Sequence, residues 1–199
     1  MDKIFTKNIE HESAVKHVTG KAIYTDDISE PKNLLHAVIG YSNCSKGVIK
    51  KIDYKDVLSS EGVVDIITEK DIEGINDVGP IFKGDKIFTS KNIEYYGQPI
   101  FAVIAKTNNL AKKAALKVKI DLKISKPIVS IEEALKKKSF VLKPKHLTRG
   151  DIKDGFKKSD NFLKGKLYSG GQDHFYLEGQ IAMTLSLIHI SEPTRQWSI

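Results

Sequence analysis

Short apolar runs separated by turn-forming residues mark the first two thirds of the chain. Runs of strand length occur at 34–41, 63–68 and 100–105, and each follows an asparagine, glycine or proline. The stretches 48–52 and 118–124 alternate apolar and polar residues, which is typical of a strand with one buried face. The pattern therefore predicts strands in these segments, and a further strand at 161–168.

Helical periodicity is clearest over 107–118, where a threonine precedes apolar residues that recur on one face. A capping box, in which Glu follows Ser by three residues, predicts a helix over 130–138. Shorter helices are expected over 53–58 and 151–159, whereas the first twenty residues lack periodicity and are expected to form an extended arm. Because strands and helices are mixed without regular alternation, the sequence predicts an α+β fold.

A polar, proline-containing link at 143–149 predicts a domain boundary. The expected organisation is an N-terminal arm (1–19), a first domain (20–125), a helix and linker (126–149), the start of a second domain (150–185) and a tail (186–199). The tail has the only tryptophan and one of the two arginines, and it resembles the translation of a sequencing adapter. We expect the natural sequence to diverge near Leu185, so His189, Arg195 and Trp197 are assigned no function.

The net charge of +7 comes almost entirely from lysine. The lysines lie in separate predicted elements, and phosphate or base recognition favours arginine, so charge alone favours solvated surfaces over nucleic-acid binding. A small basic binding domain remains an alternative. The longest apolar run, Ile100 to Ala105, is far too short to span a bilayer. A single cysteine, Cys44, excludes an internal disulfide and fits a reducing cytoplasm.

Most isolated reactive residue types have a plain structural explanation. Cys44 has no His or second Cys nearby in sequence, so we expect an inert thiol. His11 and His17 are not spaced as a helical metal pair and are expected at the surface. Asp26 and Asp27 lie in a sequence typical of a turn.

The densest candidate is the run Gly170 to Glu178, which joins two glycines, an amide and an aromatic-polar segment. Glycines allow positive φ and close approach of another body, and Gln172 offers two donors and an acceptor at that point. The alternative is that Gln172 satisfies a buried backbone group. Asp173, His174 and Glu178 are metal-ligand types, but on a strand only 174 and 178 would share a face.

Three segments occur in an order that is similar to the molybdenum-binding subunit of the xanthine dehydrogenase and aldehyde oxidase family. They are His17 to Ile28, Tyr96 to Ala105 and Gly170 to Glu178. The resemblance covers roughly residues 10 to 185. It implies that 20–125 form an a/b hammerhead domain and that a molybdopterin-binding domain begins after the linker.

The resemblance also implies a function, favouring a xanthine dehydrogenase over an aldehyde oxidase or other molybdenum hydroxylase. The implied reaction is hydroxylation of hypoxanthine or xanthine with oxygen from water, with electrons leaving through iron–sulfur clusters and FAD on a partner subunit to NAD. Molybdenum is held by its molybdopterin, so no protein metal ligands are implied. Gln172 matches the glutamine that hydrogen-bonds the molybdenum oxo group.

The catalytic glutamate and most cofactor contacts would lie downstream in the family, so no catalytic residue is assigned here. The 199-residue chain is expected to be an inactive N-terminal fragment of a hetero-oligomeric enzyme.

Overall fold

The computed structural model describes residues 10–176, 178–187 and 190–194. These residues form two compact units, which we describe separately. The larger unit comprises Lys32–Ile152, and the smaller comprises Met1–Pro31 with Lys153–Ile199.

Two three-stranded antiparallel sheets build the larger unit. Its strands are β1 (His36–Tyr41), β2 (Gly47–Asp53), β3 (Val63–Ile67), β4 (Asn92–Ile93), β5 (Pro99–Ala105) and β6 (Lys119–Ile124). One sheet has the order β1-β5-β3 and the other the order β4-β2-β6. The five strands predicted in this part of the chain are therefore confirmed, and β4 is an addition too short to give a sequence signal.

Three helices accompany these sheets: α2 (Lys55–Leu58), α3 (Asn108–Ala115) and α4 (Ile131–Lys136). The hydroxyl of Thr107 accepts a hydrogen bond from Leu110 N and caps α3, as the sequence predicts. Ala111 and Ala114 are buried, and their small side chains let α3 pack closely against β1 and β5. Likewise Ser130 accepts from Glu133 N at the start of α4.

Strand β5 is the centre of the core because it pairs on both sides and its apolar run is almost wholly buried. The Phe101 ring is fully buried, lies beneath Gly40 of β1 and meets Tyr54 edge-on with a centroid distance of 5.3 Å. Burial raises the pKa of Tyr54 to about 12. Contacts of the Phe101 ring thus join β1, β5 and the segment between β2 and α2.

The smaller unit contains α1 (Ala14–Val18), a 3₁₀ turn (Thr25–Asp27), α5 (Ile152–Lys158) and the antiparallel strands β7 (Met183–Leu187) and β8 (Ile190–Thr194). Residue Ile152 lies at the boundary between the units. The prediction of α5 is confirmed.

The expectation of an extended arm over the first twenty residues is wrong for its described part, because α1 lies there. Helix α1 ends at Val18, its C-cap is Thr19, and Gly20 follows with φ +68°. Lys21 N donates to Lys16 O at 2.8 Å and Gly20 N to His17 O at 3.3 Å, the paired bonds of a Schellman motif. Glycine is needed here because other residues adopt this φ only with strain.

The strand predicted over 161–168 is also wrong. No described strand pairs with this segment, and Leu163 and Leu167 are 102% and 94% exposed. A β-strand needs a hydrogen-bonded neighbour, which an apolar sequence pattern cannot supply by itself.

The expected divergence near Leu185 lies within β7, and Leu185 pairs with Glu192 of β8. Two short strands can pair through backbone groups whatever the origin of their sequence, so the non-native tail stays a prediction. Residues His189, Arg195 and Trp197 lie outside the described residues.

We expect Gly40→Ala to destabilise the larger unit by about 1–3 kcal/mol, since overpacking a filled core has costs of this size. The added methyl group would overlap the Phe101 ring, and that ring cannot move without disturbing Tyr54. Urea denaturation of both chains measures the effect. The control is Gly74→Ala, where a methyl group meets no atom within 4 Å. Equal stability of the Gly40 and Gly74 variants would contradict the prediction.

Candidate cofactor loop and the buried turn

Residues 170–176 form a loop without regular secondary structure in the smaller unit. Gln172 is exposed, and its amide makes no hydrogen bond to the described part of the chain. In this loop the Gln172 side chain therefore does not satisfy a buried backbone group, which was the alternative explanation. Its two N–H donors and its carbonyl oxygen are available to a group outside the chain.

A local turn follows Gln172 directly. Asp173 Oδ1 accepts a hydrogen bond from Phe175 N at 3.4 Å, and Phe175 has φ +49°. The rings of His174 and Tyr176 stack, with centroids 5.8 Å apart and planes at 6°. The backbone after Gln172 is therefore bent into a turn, and two ring side chains of the loop contact each other.

Gly170 and Gly171 leave open space around the loop. A methyl group on either would meet no described atom within 4 Å, and neither glycine has φ in the left-handed region. The positive φ that the sequence suggested is therefore absent. Several other glycines of this chain are equally open, so the room beside the loop permits close approach of another body without demonstrating it.

The possible metal ligands are not brought together. Among the residues that the structure describes, no group of three His, Cys, Asp or Glu side chains could hold a metal ion. Asp173 is used in the turn, and His174 is stacked on its neighbour. The described part of the loop thus brings no three candidate metal ligands together.

The first motif of the sequence is also located in the smaller unit. Asp27 Oδ2 accepts from Tyr24 N at 2.9 Å and holds the 3₁₀ turn, which confirms the turn interpretation of this segment. The Tyr24 hydroxyl lies 3.1 Å from His17 Nδ1, and both His17 and His11 are exposed. A methyl group on Gly179 would lie 3.7 Å from Asp26 Oδ2, so the first motif approaches the end of the third.

The second motif contains a polar turn at 95–99, which the sequence indicates but whose burial was not foreseen. Ser42 and Gln98 are each 3% exposed. The Ser42 hydroxyl accepts from Gln98 N at 3.1 Å and lies 3.0 Å from Tyr95 O, to which it can donate. Gln98 Oε1 accepts from Glu94 N at 2.8 Å. The sequence feature that indicates this turn is Gly97 directly before Gln98. Gly97 has φ +81°, which favours glycine.

The remaining candidates have structural roles. Cys44 is buried in the core, as expected for an inert thiol.

In the described residues, no helix is long and apolar enough to cross a membrane.

Two antiparallel sheets, a helix packed on one of them and the buried turn define an α+β domain of the hammerhead type. The family model for the aldehyde oxidase and xanthine dehydrogenase a/b hammerhead domain matches residues 19–126. The chain belongs to this family of molybdenum hydroxylases, which are oxidoreductases. The predicted α+β hammerhead fold is confirmed.

Relatives of both enzyme types are similar to this chain. Xanthine dehydrogenase of Dictyostelium discoideum is 38% identical over 173 residues, covering 87% of this chain and 13% of that protein. Aldehyde oxidase 2 of Rattus norvegicus is 36% identical over 178 residues, covering 89% and 13%. The solved aldehyde oxidoreductase of Desulfovibrio desulfuricans has a TM-score of 0.56 at 33% identity, covering 64% of this chain and 15% of that one. The chain thus spans about an eighth of the curated relatives.

We expect Ser42→Ala to destabilise the larger unit by about 1–3 kcal/mol, because the buried Gln98 N–H and the part-buried Tyr95 carbonyl would lose their partner. Thermal denaturation followed by circular dichroism measures the change. Ser59→Ala on the exposed end of α2 is the matched control and should shift the midpoint little. Indistinguishable midpoints would show that the buried hydroxyl has no such role.

Proposed function

We propose that this chain is part of the molybdenum-binding subunit of a xanthine dehydrogenase that hydroxylates hypoxanthine and xanthine with oxygen from water. The observation that carries the proposal is 38% identity to a xanthine dehydrogenase across 87% of the chain. The three ordered motifs support it further.

The loop at Gln172 fits the cofactor implied by the family. An exposed amide N–H is a suitable donor to a metal oxo group, and the space beside Gly170 and Gly171 leaves room for a bulky ligand. Gln172 would therefore orient a molybdopterin-held molybdenum through a hydrogen bond, while the pterin supplies the metal's sulfur ligands. The bound group would supply the centre at which a purine carbon is oxidised.

The other residues of the loop would act on the position of Gln172. The Asp173 carboxylate and the bend at Phe175 fix the backbone that follows it. Because a hydrogen bond to a cofactor weakens steeply with misalignment, a fixed backbone helps to aim the amide. In this proposal, residues 150–185 begin the molybdopterin-binding domain, and the hammerhead domain comprises 20–125.

The complete enzyme would contain a second subunit with iron–sulfur clusters and FAD, from which electrons pass to NAD, and would be a hetero-oligomer. The presence of a single cysteine, the buried Cys44, supports a cytoplasmic location, because disulfide-stabilised secreted domains have several.

Aldehyde oxidation is the second candidate within the family. It is favoured by the 36% identity to a rat aldehyde oxidase and by the structural similarity to a bacterial aldehyde oxidoreductase. Sequencing the source DNA across codon 185, followed by expression of the complete subunit with its partner, tests both. Xanthine-dependent NAD reduction supports the proposal, whereas oxidation of aldehydes alone would contradict it. Family membership makes a small basic binding domain unnecessary as an explanation.

We predict that the 199-residue chain alone binds no molybdopterin and catalyses no turnover, because Gln172 is the single cofactor contact assigned to it. The chain is to be purified from a host that synthesises the cofactor. Metal analysis and the fluorescence of the oxidised pterin then measure occupancy, with the complete subunit as the positive control. Xanthine-dependent NAD reduction by the isolated chain would refute the prediction.

In the complete enzyme we expect Gln172→Ala to lower kcat about 10–100-fold, the usual effect of removing a partner that orients a metal centre. Molybdenum content should remain, while the electron paramagnetic resonance signal of the metal should shift because the oxo group loses a donor. Gln180→Ala removes another exposed amide and is the matched control. An unchanged signal and unchanged kcat would remove Gln172 from the site.

A further inference from the structure

The first motif, His17 to Ile28, has no role in the proposed function, although it belongs to the same unit as the loop at Gln172. The smaller unit joins Met1–Pro31 to Lys153–Ile199, while the whole larger unit separates these two segments along the chain. A contact between residues so distant in sequence is made only by the fold. The first motif is therefore in a position to act on the loop.

Gly179, directly after the third motif, is the point at which the two segments meet. A methyl group built on it would lie 3.7 Å from Asp26 Oδ2 and 3.6 Å from the side chain of Ile181, both ordinary van der Waals distances. By contrast, a methyl group on Gly170 or Gly171 would meet no described atom within 4 Å. The approach of Asp26 is therefore local to the end of this segment.

The turn that carries Asp26 is held by contacts of its own. Asp27 Oδ2 accepts a hydrogen bond from Tyr24 N at 2.9 Å and closes the 3₁₀ turn. Thr25 is 8% exposed, the smallest exposed fraction in the described part of the smaller unit. Because a backbone bond and a buried side chain both fix the turn, it presents the Asp26 carboxylate from a defined position.

The segment that carries Gln172 has a turn at each end. The first turn, between Asp173 and Phe175, comes directly after Gln172. At the second, Gly179 O accepts a backbone hydrogen bond at 3.0 Å, and Asp26 lies against this turn. Since the chain between the turns is short, fixing its far end reduces the number of positions that Gln172 can take.

We propose that Asp26 is a positioning residue for the loop: its carboxylate packs against Gly179 and so fixes the end of the segment that carries Gln172. The inference rests on the proposed function, in which the Gln172 amide donates a hydrogen bond to the molybdenum oxo group. The segment before the hammerhead domain is then part of the cofactor site, together with the segment after the linker.

The first test measures the contact in the 199-residue chain and needs no cofactor. Asp26→Cys and Gly179→Cys are combined, and a short reagent with two thiol-reactive ends is added to dilute protein. We expect peptide mapping by mass spectrometry to recover a bridge between the two positions. The control combines Asp26→Cys with Gly165→Cys, at a glycine that no described atom approaches within 4 Å. Equal yields of bridge from both pairs would overturn the proposal.

The second test measures whether the contact affects the loop itself. In nuclear magnetic resonance spectra of the same chain, Asp26→Ala should change the backbone amide shifts of residues 172–176, because the end of their segment is released. Asp160→Ala removes another exposed carboxylate of the smaller unit and is the matched control. Circular dichroism establishes that both variants fold alike. Loop shifts that are the same in both variants would contradict a positioning role, whatever the loop binds.

The third test uses the complete enzyme. We expect Asp26→Ala to lower kcat about threefold or more, a smaller loss than the 10–100-fold expected for Gln172→Ala, because Asp26 acts through the loop. KM and molybdenum content should change little, and the electron paramagnetic resonance signal should shift in both variants. Asp160→Ala should leave kcat and signal unchanged.

The signal also separates this inference from the proposed function. If Gln172→Ala shifts the signal and Asp26→Ala does not, Asp26 has no positioning role and the proposed function stands. If neither variant shifts it, the loop does not contact the metal centre, and both proposals fail.

Discussion

Burial of the central strand β5 is the constraint on which the larger unit depends. Phe101 is fully buried, and burying such a side chain contributes about 1.5–3 kcal/mol. That burial requires Gly40 above the ring, Tyr54 at its edge and a strand on each side of β5. Helix α3 completes the enclosure through two alanines small enough to approach the sheet. The buried apolar run of β5 thus limits the size of the side chains that can lie next to it.

The three motifs that link this chain to its family have different physical roles. The segment from Tyr96 to Ala105 makes the buried turn at Gln98 and then the strand at the centre of the core. The first motif ends a helix at Gly20 and caps a turn with Asp27. Only in the third is an amide left exposed at Gln172. Two of the motifs are thus explained by structure, and the third leaves an unexplained donor.

Signals within one short segment predicted the helix caps and the five longer strands of the larger unit, whereas two features that depend on a distant partner were wrongly predicted or missed. Thr107 and Ser130 mark their helices because a cap acts within one turn. Helix α1 has an equally local signal, because Gly20 lies directly after the helical turn and terminates it. By contrast, 161–168 lacks a partner strand, and the burial of Gln98 depends on Ser42, 56 positions earlier. In the candidate cofactor loop, Gln172 was singled out from the sequence and matched to the family by resemblance, whereas the turn at Phe175 could be described only from the coordinates.

The position of β5 also determines when the chain can fold during synthesis. His36 and Val63 both pair with Ala105, so the first sheet cannot close until the ribosome has released residue 105. Before then β1 and β3 lack their shared partner. At bacterial or eukaryotic elongation rates of about 5–20 residues per second, this interval lasts several seconds. The nascent chain therefore passes through a stage in which apolar strands are exposed to chaperones.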